Sequence, residues 1–178
     1  MTTPPDFSSG AVLTAAQMSA VGLWLVKTQT IGTAVSSVVV ASAFTTDYDS
    51  YKIVVSGTSV SAAGNSAFIS LSGSTGASYC SGGFWQIYTL AAMNGFNANN
   101  VAGGTWLGIT GNRWSCIIDV VNPFNALASS FMGQSSGGTY ASSFQGQDTN
   151  AASSTGFTLT QSGSNWTGGT IRVYGYRK

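Results

Sequence analysis

The sequence predicts an all-β chain: an antiparallel β-sandwich of jelly-roll type, carrying a short N-terminal arm and helix. Three observations predict it. The first is period-two alternation, which a half-buried strand requires. Tyr51, Ile53 and Val55 alternate with Lys52 and Ser56, Trp114, Cys116, Ile118 and Val120 with Ser115 and Asp119, and Ile171 and Val173 with Arg172. The second is turn chemistry at short intervals: Ala63-Gly64-Asn65, Gly82-Gly83, Gly103-Gly104, Gly111-Asn112, Asn122-Pro123, Gly137-Gly138 and Gly168-Gly169. The third is composition. Charged residues make up only 6% of the chain while hydrophobic residues make up 43%. An ordinary core is therefore wrapped in Ser, Thr, Asn, Gln and Gly, a surface that suits sheets and turns.

Two segments are expected, residues 1–22 and residues 23–178. In the first, Pro4 and Pro5 forbid helix and give an extended arm that Gly10 ends. A short helix then follows over residues 15–21. Thr14 fits its N-cap, Gln17 completes a capping box, Leu13 can staple to Met18, and Gly22 supplies the stop. About two turns cannot stand alone, so Leu13, Met18 and Val21 need a partner surface. That surface is either a neighbouring protein or one end of the chain's own sandwich.

The second segment carries the strands. Beyond the three alternating runs, candidates cover residues 23–31, 37–41, 67–72, 85–90, 105–110, 129–134, 139–146 and 156–161. Some ten short strands at spacings of about 10–15 residues, with no helical pattern between them, argue for a sandwich. No repeat period appears, which argues against a propeller or solenoid.

Much chemistry is excluded by residue type. The chain has no His, and all five of its acidic residues are Asp. His-based triads, His-containing metal sites and Glu pairs are therefore absent, and neither a metal nor a cofactor nor catalysis is expected. Asp47 and Asp49 read as turn stabilisers, Asp119 alternates to the face opposite Trp114 and Ile118, and Asp148 reads as part of a polar loop. A net charge of +1, with three of the six cations at the C-terminus, gives no electrostatic case for nucleic acid. No basic-then-apolar leader opens the chain and no apolar run approaches about 18 residues, so neither a secretion signal nor a membrane span is expected. Without a secretion signal, the sequon at Asn165-Trp166-Thr167 reads as fortuitous. Cys80 and Cys116 are too few for a disulfide framework, and Cys116 reads as a small buried hydrophobe.

The aromatic residues carry what binding potential remains. Most should be core, but Trp106 and Trp166 each follow a Gly- or Asn-rich loop, residues 94–104 and 162–165. Exposed there, with Asn165 alongside, either ring would make a sugar platform; buried, it would serve the core or a subunit contact.

Several segments also carry a resemblance. LTAAQM at residues 13–18, GLWLVKTQTIG at 22–32, FTTDYDSYKIVVSG at 44–57 and GGTIRVYGYR at 168–177 resemble segments of tailed-bacteriophage virion proteins of the minor tail or fibre type. The likeness touches both ends and the first third, while residues 58–164 are generic. It implies a structural protein assembled in the host cytoplasm into a virion, with other virion proteins as partners and a host-surface glycan as a candidate ligand. A homotrimer follows from the fibre resemblance together with the low charge, since few charges oppose burial between subunits. Residues 1–22 are then the attachment device, with Leu13, Thr14, Gln17, Met18 and Val21 as its working residues. The alternative is a capsid decoration protein gripping the shell through the same arm.

Overall fold

The computed structural model describes residues 22–177. Leu13, Thr14, Gln17, Met18 and Val21, with the expected arm and helix, lie outside the described residues. Among the described residues every regular element is a strand, and every pairing between strands is antiparallel. In chain order they are β1 (Leu23–Thr30), β2 (Ser37–Val40), β3 (Tyr48–Val60), β4 (Asn65–Leu71), β5 (Tyr79–Ile87), β6 (Met93–Val101) and β7 (Thr105–Thr110). There follow β8 (Arg113–Val121), β9 (Ser129–Gly137), β10 (Tyr140–Asp148), β11 (Phe157–Gln161), β12 (Trp166–Thr167) and β13 (Thr170–Arg177).

The strands form two sheets. The larger runs β1-β13-β3-β8-β9-β10-β5-β6, with β12 also paired to β3, and the smaller runs β2-β11-β4-β7. One hydrophobic cluster takes side chains from both, including Ile53, Trp114, Ile118, Phe131 and Val173 from the larger and Ile69, Trp106, Leu107 and Leu159 from the smaller. The alternation read in β3, β8 and β13 is the imprint of this cluster, which buries one face of each strand.

Strand β7 is the edge of the smaller sheet, yet it packs over β9, β10 and β5 of the larger one. A buried edge must satisfy its unpaired backbone groups. Two serines paired across β9 and β10 do so. Ser135 Oγ donates to the Leu107 carbonyl at 2.7 Å, and the Ile109 N–H donates to Ser142 Oγ at 3.1 Å. Leu107 is the extra residue of a bulge, because Ala67 pairs with Gly108 and Phe68 with Trp106. The bulge lets Trp106 and Leu107, adjacent in sequence, both be buried.

Strand β6 departs from the expectation of an Asn-rich loop over residues 94–104. MNGFNANNV is poor in strand formers, so its propensity gives no signal. It is held by pairing with β5 and by Phe96, whose ring stacks on Trp106 at 4.6 Å. Asp148, expected in a polar loop, instead ends β10 as a buried residue whose Oδ1 accepts from the Asn150 N–H at 3.0 Å.

Candidate functional site

Burying one face of the larger sheet leaves the other uncovered by any described residue, and strand register shows what lies on it. One row of paired residues reads Thr28, Arg172, Val54, Ile117, Gln134, Ser143, Phe84, Gly95. The next reads Leu25, Tyr174, Lys52, Asp119, Met132, Gln145, Gly82, Asn97. Over β9, β10, β5 and β6 these rows hold amides, hydroxyls, glycines and isolated apolar side chains. Phe84 is 59% exposed, and Ile117, Met132 and Met93 stand out beside it.

Shallow depressions run together across this part of the sheet. One of about 500 Å³ lies between Phe84, Tyr88, Met93, Ile117, Gln134 and Ser143. A second of about 530 Å³ lies on the other side of Phe84, against Gly82, Gly95, Asn97, Ser143 and Gln145. Two more continue through Met132 and Gln147 and through Ile117 and Asp119. Phe84 is the ridge shared by the first two. Among the described residues, none of Gln134, Ser143, Gln145, Gln147 or Asn97 spends its side chain on a hydrogen bond within the chain, so their donors and acceptors face solvent.

The nearest charges sit at one rim of this furrow. Lys52 Nζ lies 2.8 Å from Asp119 Oδ1, and the Tyr176 hydroxyl donates to the same oxygen at 2.9 Å. The hydrogen bond to Asp119 raises the Lys52 ammonium above its ordinary value, against partial desolvation. Tyr176 is also raised, first by burial and then by its bond to Asp119. The carboxylate is therefore occupied by a cation and a phenol. Among the described residues no group of three or more His, Cys, Asp or Glu side chains is placed to hold a metal.

The residues predicted as a sugar platform are elsewhere. Trp106 is fully buried on the inner side of β5 and β6, its Nε1 donating to Ser66 Oγ at 3.2 Å. Trp166 is fully buried in β12 and stacked on Trp114 at 5.9 Å. Asn165 is half-buried, its backbone N–H donating to Ser61 Oγ at 3.0 Å and its carbonyl accepting from the Ser61 N–H at 2.9 Å. Of the two readings the buried one holds, and the sugar platform at Trp106, Asn165 and Trp166 is corrected. A Trp after a Gly-rich stretch enters a strand on whichever face the register dictates, and both rings fall on the core side. The rings exposed at the furrow are Phe84 and Tyr88, which sequence reasoning passed over. Their signal lay in the period-two polar series of β9 and β10, Gln134 and Ser136 then Ser143, Gln145 and Gln147, marking an uncovered face.

Asp47 serves its turn as expected, with Thr45 Oγ1 donating to its carboxylate at 3.1 Å. Cys80 and Cys116 are both free thiols. Cys116 is buried as read from sequence, and burial pushes its thiol well above the ordinary range. Cys80 is half-buried on the uncovered face, 3.0 Å from Asn99 Oδ1. A maleimide or disulfide reagent is expected to modify the native chain once, at Cys80, with Cys116 reacting only after denaturation. Peptide mapping showing Cys116 modified in the native chain would contradict this placement.

Comparison with protein-family models, with curated proteins and with solved structures finds no match to the chain.

Proposed function

We propose that this chain is a structural component of a tailed-phage virion. In this reading it is a trimeric domain of the fibre or tail-tip type, folded as a jelly-roll-like sandwich and exposed on the particle toward the host surface. The observation that carries the reading is where the phage-like segments fall. GLWLVKTQTIG supplies β1, FTTDYDSYKIVVSG the entry and most of β3, and GGTIRVYGYR supplies β13. The last segment lies more than a hundred residues beyond the first two, yet its strand sits between theirs, in the order β1-β13-β3 at one end of the larger sheet. A resemblance scattered along the sequence becomes one contiguous patch.

That patch is also where residues 1–22 join the domain. Leu23, Trp24 and Leu25 are all exposed on β1, an edge strand. Three consecutive exposed apolar residues on an open edge suit a contact with another chain. The furrow begins at β8, three strands further along, about 14 Å away at ordinary strand spacing. Assembly through one end of the sheet leaves the other end free.

Deleting residues 1–22 tests the reading, because every described strand and core side chain lies within residues 23–177. The truncated chain is expected to keep its β-sheet spectrum and cooperative melting while disappearing from purified particles. Normal incorporation, or outright unfolding, would deny a separable anchor. Antibody labelling of intact virions is expected to mark the tail tip; label over the head would instead assign a capsid decoration role.

A further inference from the structure

We propose that the uncovered face of β9, β10, β5 and β6 binds a neutral glycan, with the Phe84 ring as the stacking platform and Gln134, Ser143, Gln145 and Asn97 as its hydrogen-bonding surround. The proposal deepens the host-contact reading and rests on it for the source of the sugar.

Two glycines carry the argument. Gly95 sits directly opposite Phe84 in the adjacent strand, and Gly82 lies one row away. Neither has a left-handed backbone. A Cβ added at Gly95 would meet nothing within 4 Å, and one at Gly82 only the Phe96 carbonyl at 3.6 Å. Neither the backbone nor packing therefore requires glycine at these positions. Gly83, between them on the inner side, is different: its Cβ would strike the Ser143 carbonyl and the Trp106 ring. Glycine weakens a strand, and away from a bulge or bend it marks a place where a ligand or another backbone approaches closely. At Gly82 and Gly95 the consequence is that the side of the Phe84 ring stays uncovered within a trough of about 530 Å³.

The surround fits a sugar. A pyranose offers an apolar face of axial C–H groups and a rim of hydroxyls. The ring takes the first. Amides and a serine, each able to donate and accept, take the second without imposing a charge preference. No Lys or Arg lines the depressions, so an anionic polymer finds no counter-charge there. Their only acidic residue, Asp119 at the far rim, is held by Lys52 and Tyr176. A second copy of the chain fits less well. A dry protein contact would bury the amides of Gln134 and Gln145, each of which would then need a fixed partner.

The test is calorimetric titration of the full chain with neutral oligosaccharides: maltohexaose, cellohexaose, mannohexaose, xylohexaose and chitohexaose. At least one is expected to bind, and Phe84→Ala should weaken it roughly tenfold. Gly95→Leu, whose Cβ meets no atom within 4 Å and whose side chain adds bulk beside Phe84, should weaken binding as much while leaving the melting temperature unchanged or higher. Three results would overturn the proposal: no binding tighter than about 10 mM to any of the five, binding indifferent to both substitutions, or tighter binding of polygalacturonate than of every neutral sugar. Dissociation of an oligomer by Phe84→Ala, seen in light scattering, would assign the face to a second copy and overturn it too. Particle incorporation is read from the deletion of residues 1–22, so the virion reading and the glycan site can each fail alone.

Discussion

Replacing Trp106 by alanine is expected to cost the domain about 3–5 kcal/mol, the range for deleting a buried Trp or Phe side chain. The ring is fully buried between the two sheets. On one side it stacks on Phe96 at 4.6 Å with the planes 22° apart, and its Nε1 donates to Ser66 Oγ at 3.2 Å. Gly83 is cut away to admit it, since a Cβ there would come within 2.8 Å of Trp106 Cζ3. The loss should be uneven along the chain. Strand β6 is an edge whose half-buried Phe96 meets the core through this ring, so amide exchange should accelerate in β5 and β6 well before β3 and β8. Trp106→Phe, which keeps an aromatic surface for Phe96, should recover a large part of the loss. Urea denaturation measures the total. A cost below about 1 kcal/mol would mean that the ring is not the packing element described here.

How this ring was read from sequence shows what a single chain reveals. Strands β3, β8 and β13 were legible because each has one buried and one open face, and alternation reports that difference directly. Turn residues between strands were legible for a local reason, the conformations that Gly and Asn allow. What alternation does not reveal is the sign of a face when both neighbours are large. Phe84 and Trp85 are adjacent aromatics, and only the pairing of Phe84 with Ser143 and Gly95 puts the phenylalanine outside. Nor does sequence separate glycines by task. Gly82 and Gly83 are one dipeptide, yet the first faces open space and the second makes room for a tryptophan. Strand β6 was illegible for the opposite reason. Its asparagines have no preference for a strand, and pairing with β5 and the stacking of Phe96 on Trp106 recruit them.

Glycines of these different kinds should respond to the same substitution in graded fashion, and Gly108 should respond most. Gly108→Ala is expected to destabilise by roughly 3–5 kcal/mol, because two costs add there. Its φ of +110° belongs to a region that side chains rarely enter. An added Cβ would also lie 2.5 Å from Ser142 Cβ and against Ser135 Oγ, the two serines that satisfy the buried edge of β7. Moving either serine aside would leave the Leu107 carbonyl or the Ile109 N–H without its partner. Gly64 isolates the first cost: its φ is +88°, but the nearest atom to an added Cβ is the Tyr140 hydroxyl at 3.4 Å. Gly64→Ala should therefore lose only about 1–2 kcal/mol. Gly95 carries neither cost, and Gly95→Ala should be neutral or stabilising by up to about 1 kcal/mol, since alanine has less backbone freedom to lose on folding. Urea midpoints of the three variants then order as Gly95→Ala, Gly64→Ala, Gly108→Ala from most to least stable. If Gly108→Ala were no worse than Gly64→Ala, the close contact of β7 with Ser135 and Ser142 would have to yield at little cost, and the serine bridge between the sheets would not be the rigid feature that these distances describe.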